Sequence, residues 1–147
     1  MAGMTDLDEL LRAMQPALVD AEFVFCTVTG ALAEYVVLNP VATFIEPEGL
    51  TLVLEKSVAE QAKLEFEGVY RQITLTVHSS LDAVGLTAAV ASQLAQQGIS
   101  ANVIAAYYHD HIFVQTSKAL AAVSALAALS AGSKRACESF KVQEPNG

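Results

Sequence analysis

The sharpest pattern in the chain lies at residues 69–77. Val69, Arg71, Ile73, Leu75 and Val77 fall on one side, and Tyr70, Gln72, Thr74 and Thr76 on the other. A mainly apolar row alternating with a polar one predicts a strand, in a sheet with helices on a single face. After the loop His78 to Asp82, Leu86, Val90 and Leu94 recur at helical spacing with Ala91 and Ala95 beside them. That spacing predicts a helix to about Gln97, ended by Gly98 where a positive φ is needed. Two further strands are expected at about 99–108 and 111–115, joined by a tight turn at His109-Asp110, residue types that tolerate positive φ. Thr116 or Ser117 then caps an alanine-rich helix to Ala131. From Gly132 the composition turns polar and reads as a tail, with room for a short returning strand near Phe140.

The first half repeats this order less clearly. Leu7, Leu10, Leu11 and Met14 sit at helical spacing up to Pro16, and Glu22–Val28 is rich in aromatic and β-branched residues, as a strand is. Gly30 to Asn39 fits either a loop or a short helix. Val41–Ile45 and Leu50–Glu55 flank Glu46-Pro47-Glu48-Gly49, a hairpin in which proline presets φ and glycine accepts φ > 0. Ser57 caps a short helix to about Leu64. Both halves therefore hold a strand, a hairpin and a helix, a duplication of pattern without residue-level identity.

Composition narrows the classes of partner. The hydrophobic fraction of 53% is inflated by 25 alanines, so the core falls to Val, Leu, Ile and Phe. A charged fraction of only 16% suggests surface buried twice, once in folding and again against a partner subunit. The net charge of −8 argues against nucleic acid and against an anionic membrane surface, both of which need clustered Lys and Arg. Serines interrupt even the apolar stretch 119–131, so no run reaches the ~18 residues of a membrane span. Met1 to Leu10 carries three acids and no base, which is wrong for a secretory signal. Cys26 and Cys137 lie in no CxxC and read as free thiols in a reducing cytoplasm.

Asp82-Ala83-Val84-Gly85-Leu86, followed by Gln97-Gly98-Ile99-Ser100-Ala101-Asn102, resembles the ACT domain signature. In that signature an acidic residue, often followed by Pro-Gly-Leu, ends a strand, and Gly-Ile-Asn ends the next helix. Asp82, Gly85, Leu86, Gly98 and Ile99 match; Val84 replaces the usual proline and Ser100 the commoner asparagine. The longer stretch Ile73–Phe113, together with Glu48–Leu54, is similar to small stand-alone bacterial proteins built of ACT modules. The resemblance implies an α+β protein with two ferredoxin-like, ACT-type βαββαβ modules in tandem, an antiparallel sheet and helices on one face. The expected division is a degenerate first module at 1–67, a second module at 68–132 and a polar tail at 133–147. The second module as read lacks its own last strand, so the modules are expected to share strands.

ACT modules bind amino acids or similar small ligands at module interfaces, near the loop after the first strand. Carried over, that site falls on Ser79, Ser80, Asp82, Val84, Gly85 and Leu86, with Asn102 as a polar partner. Gly85 would let a ligand approach the backbone, and the N–H groups opening the helix favour a carboxylate. The alternative is that Gly85 only eases packing and Asp82 only caps the helix. His78, His109, Asp110 and His111 are expected at one sheet edge with Asp82, a set able to hold zinc only if the side chains converge. Otherwise they form a hydrogen-bonded turn, contact the ligand or sense pH. One of Tyr107 and Tyr108 is expected beneath the helices and the other on the polar face or at a subunit interface.

A catalytic reading is weaker. Ser79 or Ser80 with His78 and Asp82 has the residue types of a triad, but neighbours on a strand end diverge and no nucleophile elbow surrounds them. Cys26 sits in an apolar strand, where burial without activation is usual. The expectation is a non-enzymatic regulatory homodimer that needs no cofactor, binds an amino acid and is read by an enzyme or transporter. Its rivals are a ligand-less pairing module and a metal-binding protein.

Overall fold

The computed structural model describes Gly3 and residues 6–142, with side chains as far as Gly132. A short helix, α1 (Leu7–Ala13), is capped by the Asp6 carboxylate, which accepts from the Glu9 N–H at 2.9 Å. It leads into β1 (Pro16–Val28), the hairpin of β2 (Ala42–Glu46) and β3 (Gly49–Glu55), and α2 (Lys56–Gln61). The second half runs β4 (Tyr70–Leu75), α3 (Leu86–Gln96), β5 (Asn102–Ala105), β6 (Asp110–Gln115) and α4 (Ala119–Val142).

All six strands lie in one antiparallel sheet, in the order β2-β3-β1-β4-β6-β5. Each half supplies three strands in mirrored order, and β1 and β4 meet at the centre. A ferredoxin-like module needs a fourth strand antiparallel to its first. Here β4 fills that place for the first half and β1 fills it for the second. The expected strand sharing is thus the seam of the molecule.

β1 is longer than its sequence suggests. The alternating pattern begins at Glu22, but the strand begins at Pro16, because a bulge breaks the pattern between them. Leu18 pairs with Ile73 and Glu22 with Arg71, so β1 carries two more residues than β4 over this interval. The half-buried Arg71 guanidinium fills the bulge, donating to the Val19 carbonyl from Nη2 at 2.8 Å and Nε at 3.3 Å. This explains an arginine in the otherwise apolar row of β4.

Two apolar layers lie under the helices and a third lies on the open face. Ile73, Leu75, Ile112 and Val114 pack beneath α1, α3 and α4 with Leu10, Met14, Val90, Leu94 and Leu126. Val24, Cys26, Leu50, Leu52 and Leu54 pack beneath α2 and the segment 32–38. On the uncovered face Phe23, Val53 and Phe113 are buried by Phe25, Tyr70 and their neighbours in an edge-to-face aromatic cluster. Burial raises the pKa of the Cys26 thiol, which keeps it protonated and unreactive.

Several local expectations change. The ambiguous stretch after Gly30 forms two 3-10 turns, Leu32–Glu34 and Val36–Leu38, in place of a crossover helix. Gly49 has no positive φ; it is needed because a Cβ there would come within 2.7 Å of Thr27 Oγ1. The second hairpin turns at Ala106–His109, not at His109-Asp110: Ala105 pairs with Asp110, and the Ala106 N–H donates to the His109 carbonyl. The extra length removes any need for positive φ. Gly98 ends α3 as expected, at φ +69°, with the Ile99 N–H bonded to the Leu94 carbonyl and the Gly98 N–H to that of Ala95. α4 does not stop at Ala131 but continues to Val142, since Gly132 keeps negative φ. The returning strand near Phe140 is therefore absent, and residues 143–147 of the expected tail lie outside the described residues. No helix among the described residues is long and apolar enough to cross a membrane.

Replacing Arg71 by methionine keeps the stem and removes the donors to Val19. A loss of about 1–2 kcal/mol in urea unfolding is expected, on the scale of a charged hydrogen bond that folding leaves unmade. Unchanged stability would show that water caps the bulge equally well.

Candidate ligand-binding site

β1 and β2 are separated only by β3, and β4 and β5 only by β6. In each half the loop after the first strand therefore emerges beside the turn of the hairpin. In the second half these segments enclose a cavity of about 70 Å³, lined by Ser79, Ser80, Leu86, Thr87, Ala105 and Asp110 among others. In the first half the same two segments, 28–32 and 45–50, line a cleft of about 460 Å³.

The backbone of the second cavity is set by Gly85, the N-cap of α3, at φ +98°. No side-chain hydrogen bond caps this helix end, and its first two residues, Leu86 and Thr87, line the cavity. Across the cavity stand the buried Ser79 and the half-buried Asp110. Burial raises the Asp110 pKa, while His111, the Ser79 hydrogen bond and His109 each pull it down. A positive helix end thus faces a carboxylate. Leu81, Val84, Tyr107 and Tyr108 stand exposed around this end of the sheet, Val84 at 83%.

The expected site residues divide. Ser79, Ser80 and Leu86 line the cavity, and Gly85 shapes it. Asp82 is exposed and does not cap α3; its N–H donates to Ser80 Oγ, and the segment forms a tight turn. Asn102 stands at the far end of β5 from Ala105, and its side-chain amide donates to the Phe113 carbonyl at 3.2 Å, so it takes no part. Neither tyrosine lies beneath the helices: both are exposed, Tyr107 and Tyr108 meet edge to face with ring centroids 4.9 Å apart, and His78 lies tilted beside them. Asp110, grouped in the sequence with the histidines of the turn and outside the residues assigned to the ligand, is the polar wall of the cavity. Its membership follows from the parallel course of β4 and β5.

The histidines do not converge. His78 stacks against Tyr108, His109 Nδ1 meets the Val77 carbonyl, and His111 Nδ1 sits 2.9 Å from Thr74 Oγ1 and 3.2 Å from Gln72 Nε2. His109 lies in the turn before β6 and bonds back to Val77, whereas His111 lies in β6 and turns to Thr74 and Gln72, so the metal set is not assembled; no metal-holding group occurs among the described residues. No hydrogen bond joins His78 to Ser79 or Ser80 among the described residues, so the triad is not formed either.

The N-terminal segment packs closely on the loop and helix start that frame the second cavity. A Cβ on Gly85 would lie 3.0 Å from Leu7, and one on Gly3 would overlap the backbone of 78–80 at 2.6–2.7 Å. In the first half the anion position is already filled. The Ala31 N–H donates to the Glu34 carboxylate at 3.2 Å, closing the 3-10 turn on itself. The first cleft is wider, but its backbone donor is satisfied internally.

Two ferredoxin-like units that share their central strands, each with a hollow where its first loop meets its hairpin turn, define a tandem-module class of α+β protein. Two different ACT domain family models match the chain, one at residues 2–71 and the other at 67–128, and the chain belongs to the ACT domain family. A Vibrio cholerae protein of unknown function, described as a possible transport protein, is 60% identical over 84% of this chain and 95% of its own, with a TM-score of 0.78. An Agrobacterium tumefaciens protein shares the fold at 15% identity and TM-score 0.64, over 80% of this chain and 89% of its own. The regulatory subunit of aspartate kinase from Thermus thermophilus does so at 11% and 0.55, over 80% and 98%. Among curated proteins none matches the chain.

Burial, then the charge of His109, lowers the His111 pKa, against a smaller upward pull from Asp110. The fold holds His111 neutral, so unfolding takes up a proton at this site. Its contribution is complete above the ordinary value of 6.5 and is lost as the pH falls through the lower folded value. His111→Asn should therefore flatten the fall in melting temperature between about pH 7.5 and pH 5. An equally steep profile in the variant would assign the acid limb to other groups.

Proposed function

We propose that this protein is a non-catalytic regulatory protein that binds an amino acid at the second module's first loop. What supports the reading most is the facing of an uncapped helix N-terminus and the Asp110 carboxylate across one small cavity. A zwitterion matches both walls, its carboxylate taken by the first-turn N–H groups and its ammonium by Asp110. At about 70 Å³ the cavity takes the polar head of the ligand and leaves its side chain among Leu81, Val84 and the tyrosine pair. A second subunit seated on those exposed residues would complete the site. The first module, with Glu34 on its own backbone donor, serves as the scaffold partner.

Membership of the ACT family and the fold shared with an aspartate kinase regulatory subunit both accord with amino-acid binding. The possible transport role given for the Vibrio cholerae relative makes a transporter as reasonable a regulated partner as an enzyme. The buried thiol of Cys26 suits a reducing cytoplasm.

A thermal-shift screen of the twenty amino acids tests the reading. At least one should raise the melting temperature progressively above its dissociation constant, and Asp110→Asn should remove most of that shift. Silence from all twenty at millimolar concentration would sink the proposal. A shift that survives Asp110→Asn but is lost in Ile45→Asp would move the site to the first module's cleft. Light scattering should give the mass of a dimer, and Val84→Asp, at an exposed position, should shift it toward monomer.

A further inference from the structure

The register of the central seam leaves a second hollow that neither module's loop site explains. β4 begins at Tyr70, opposite Phe23, whereas β1 runs on to Val28. The linker 64–68 swings away from the sheet here, so Phe25 and Thr27 lose their neighbour on that flank. The result is a cavity of about 720 Å³ on the uncovered face, walled by Phe25, Thr27 and Tyr70 and closed by the linker.

Its walls are aromatic and acidic. Phe25 and Tyr70 meet edge to face with centroids 5.3 Å apart, and Phe113 backs Phe25 at 5.5 Å, so these rings are fixed in advance of any ligand. Gly68 helps hold Tyr70 in place, since a Cβ there would lie 3.1 Å from the phenol oxygen. Phe66, which packs partly against the helix-side core, borders the hollow from the linker, and the exposed Glu65 and Glu67 flank it. No lysine or arginine lines the cavity among the described residues. Arg71, the nearest cation in sequence to Tyr70, is turned to the Val19 carbonyl in the bulge, and Lys56 pairs with Glu60 at 3.6 Å. Ring faces and carboxylates both attract positive charge, and an apolar wall favours a cation that carries alkyl groups.

We propose that this cavity is a binding site for a small organic cation, an alkylammonium ion. The ammonium group lies between the carboxylates of Glu65 and Glu67, and its alkyl groups lie against Phe25, Phe66 and Tyr70. The site is separate from the loop cavity of the second module and requires no carboxylate on the ligand.

The test is a titration of isotope-labelled protein by NMR with choline and with butylamine. Each is compared with a neutral counterpart, 3,3-dimethylbutan-1-ol and butan-1-ol. At least one amine should perturb the amides of residues 25–27 and 64–70 while its counterpart does not, and binding should weaken with added salt. Glu65→Gln with Glu67→Gln, both exposed, should weaken binding about tenfold without altering the melting temperature. Tyr70→Leu should weaken it comparably where circular dichroism shows the fold intact. Equal responses to amine and alcohol, perturbations confined to other residues, or no response to either amine at about 10 mM would overturn the proposal.

Discussion

The antiparallel contact between β1 and β4 is the one on which both modules depend. Neither half has a fourth strand of its own, and without one its first strand would present a bare row of backbone donors and acceptors. The shared pair also decides where every loop emerges. Because β1 and β4 run in opposite directions, the two first loops open at opposite ends of the molecule. The helices stay together on one face, and the aromatic residues of both halves meet on the other. The bulge with Arg71 in it lies on the same seam, so the side chain that fills the gap in β1 comes from its partner strand β4.

Within this near-symmetric frame the two loop sites have diverged by simple electrostatics. The first half ends its loop with a 3-10 turn and supplies its own carboxylate, Glu34. The second half keeps a true helix whose opening N–H groups carry no side-chain cap. A helix end of that kind attracts an anion, whereas one that already holds an internal carboxylate does not. Asp110 then gives the second site an opposite pole. The asymmetry lies both in the backbone, two 3-10 turns against a full helix, and in which donors are already satisfied.

Much of this was legible in the residues. The alternation at 69–77, the helical stripe Leu86–Val90–Leu94 and the stop at Gly98 each follow from a single local rule, and each appears in the fold. The Asp82–Leu86 match pointed to the loop that lines the cavity. What stayed hidden was non-local. Pro16–Ala21 carries no strand pattern because a bulge consumes two of its positions. Gly49 was explained by a torsion angle when its cause is the Thr27 side chain on a neighbouring strand. Asn102 is near the loop in sequence pattern but points along the wrong end of β5. Asp110 was seen only as one of a cluster of ligating residue types, because the side-chain directions that separate the histidines cannot be read from spacing alone.

The shared seam also bears on how such a chain is inherited. A duplicated gene usually frees one copy to drift, because each copy still folds alone. Here the exchange of β1 and β4 removes that freedom: a fragment carrying either half would expose its first strand and lose the partner that covers it. The halves can diverge in their loops, as Glu34 and Gly85 show, but they cannot be parted. Selection therefore acts on the pair as one unit, and changes along β1 and β4 have to be compatible with both halves at once.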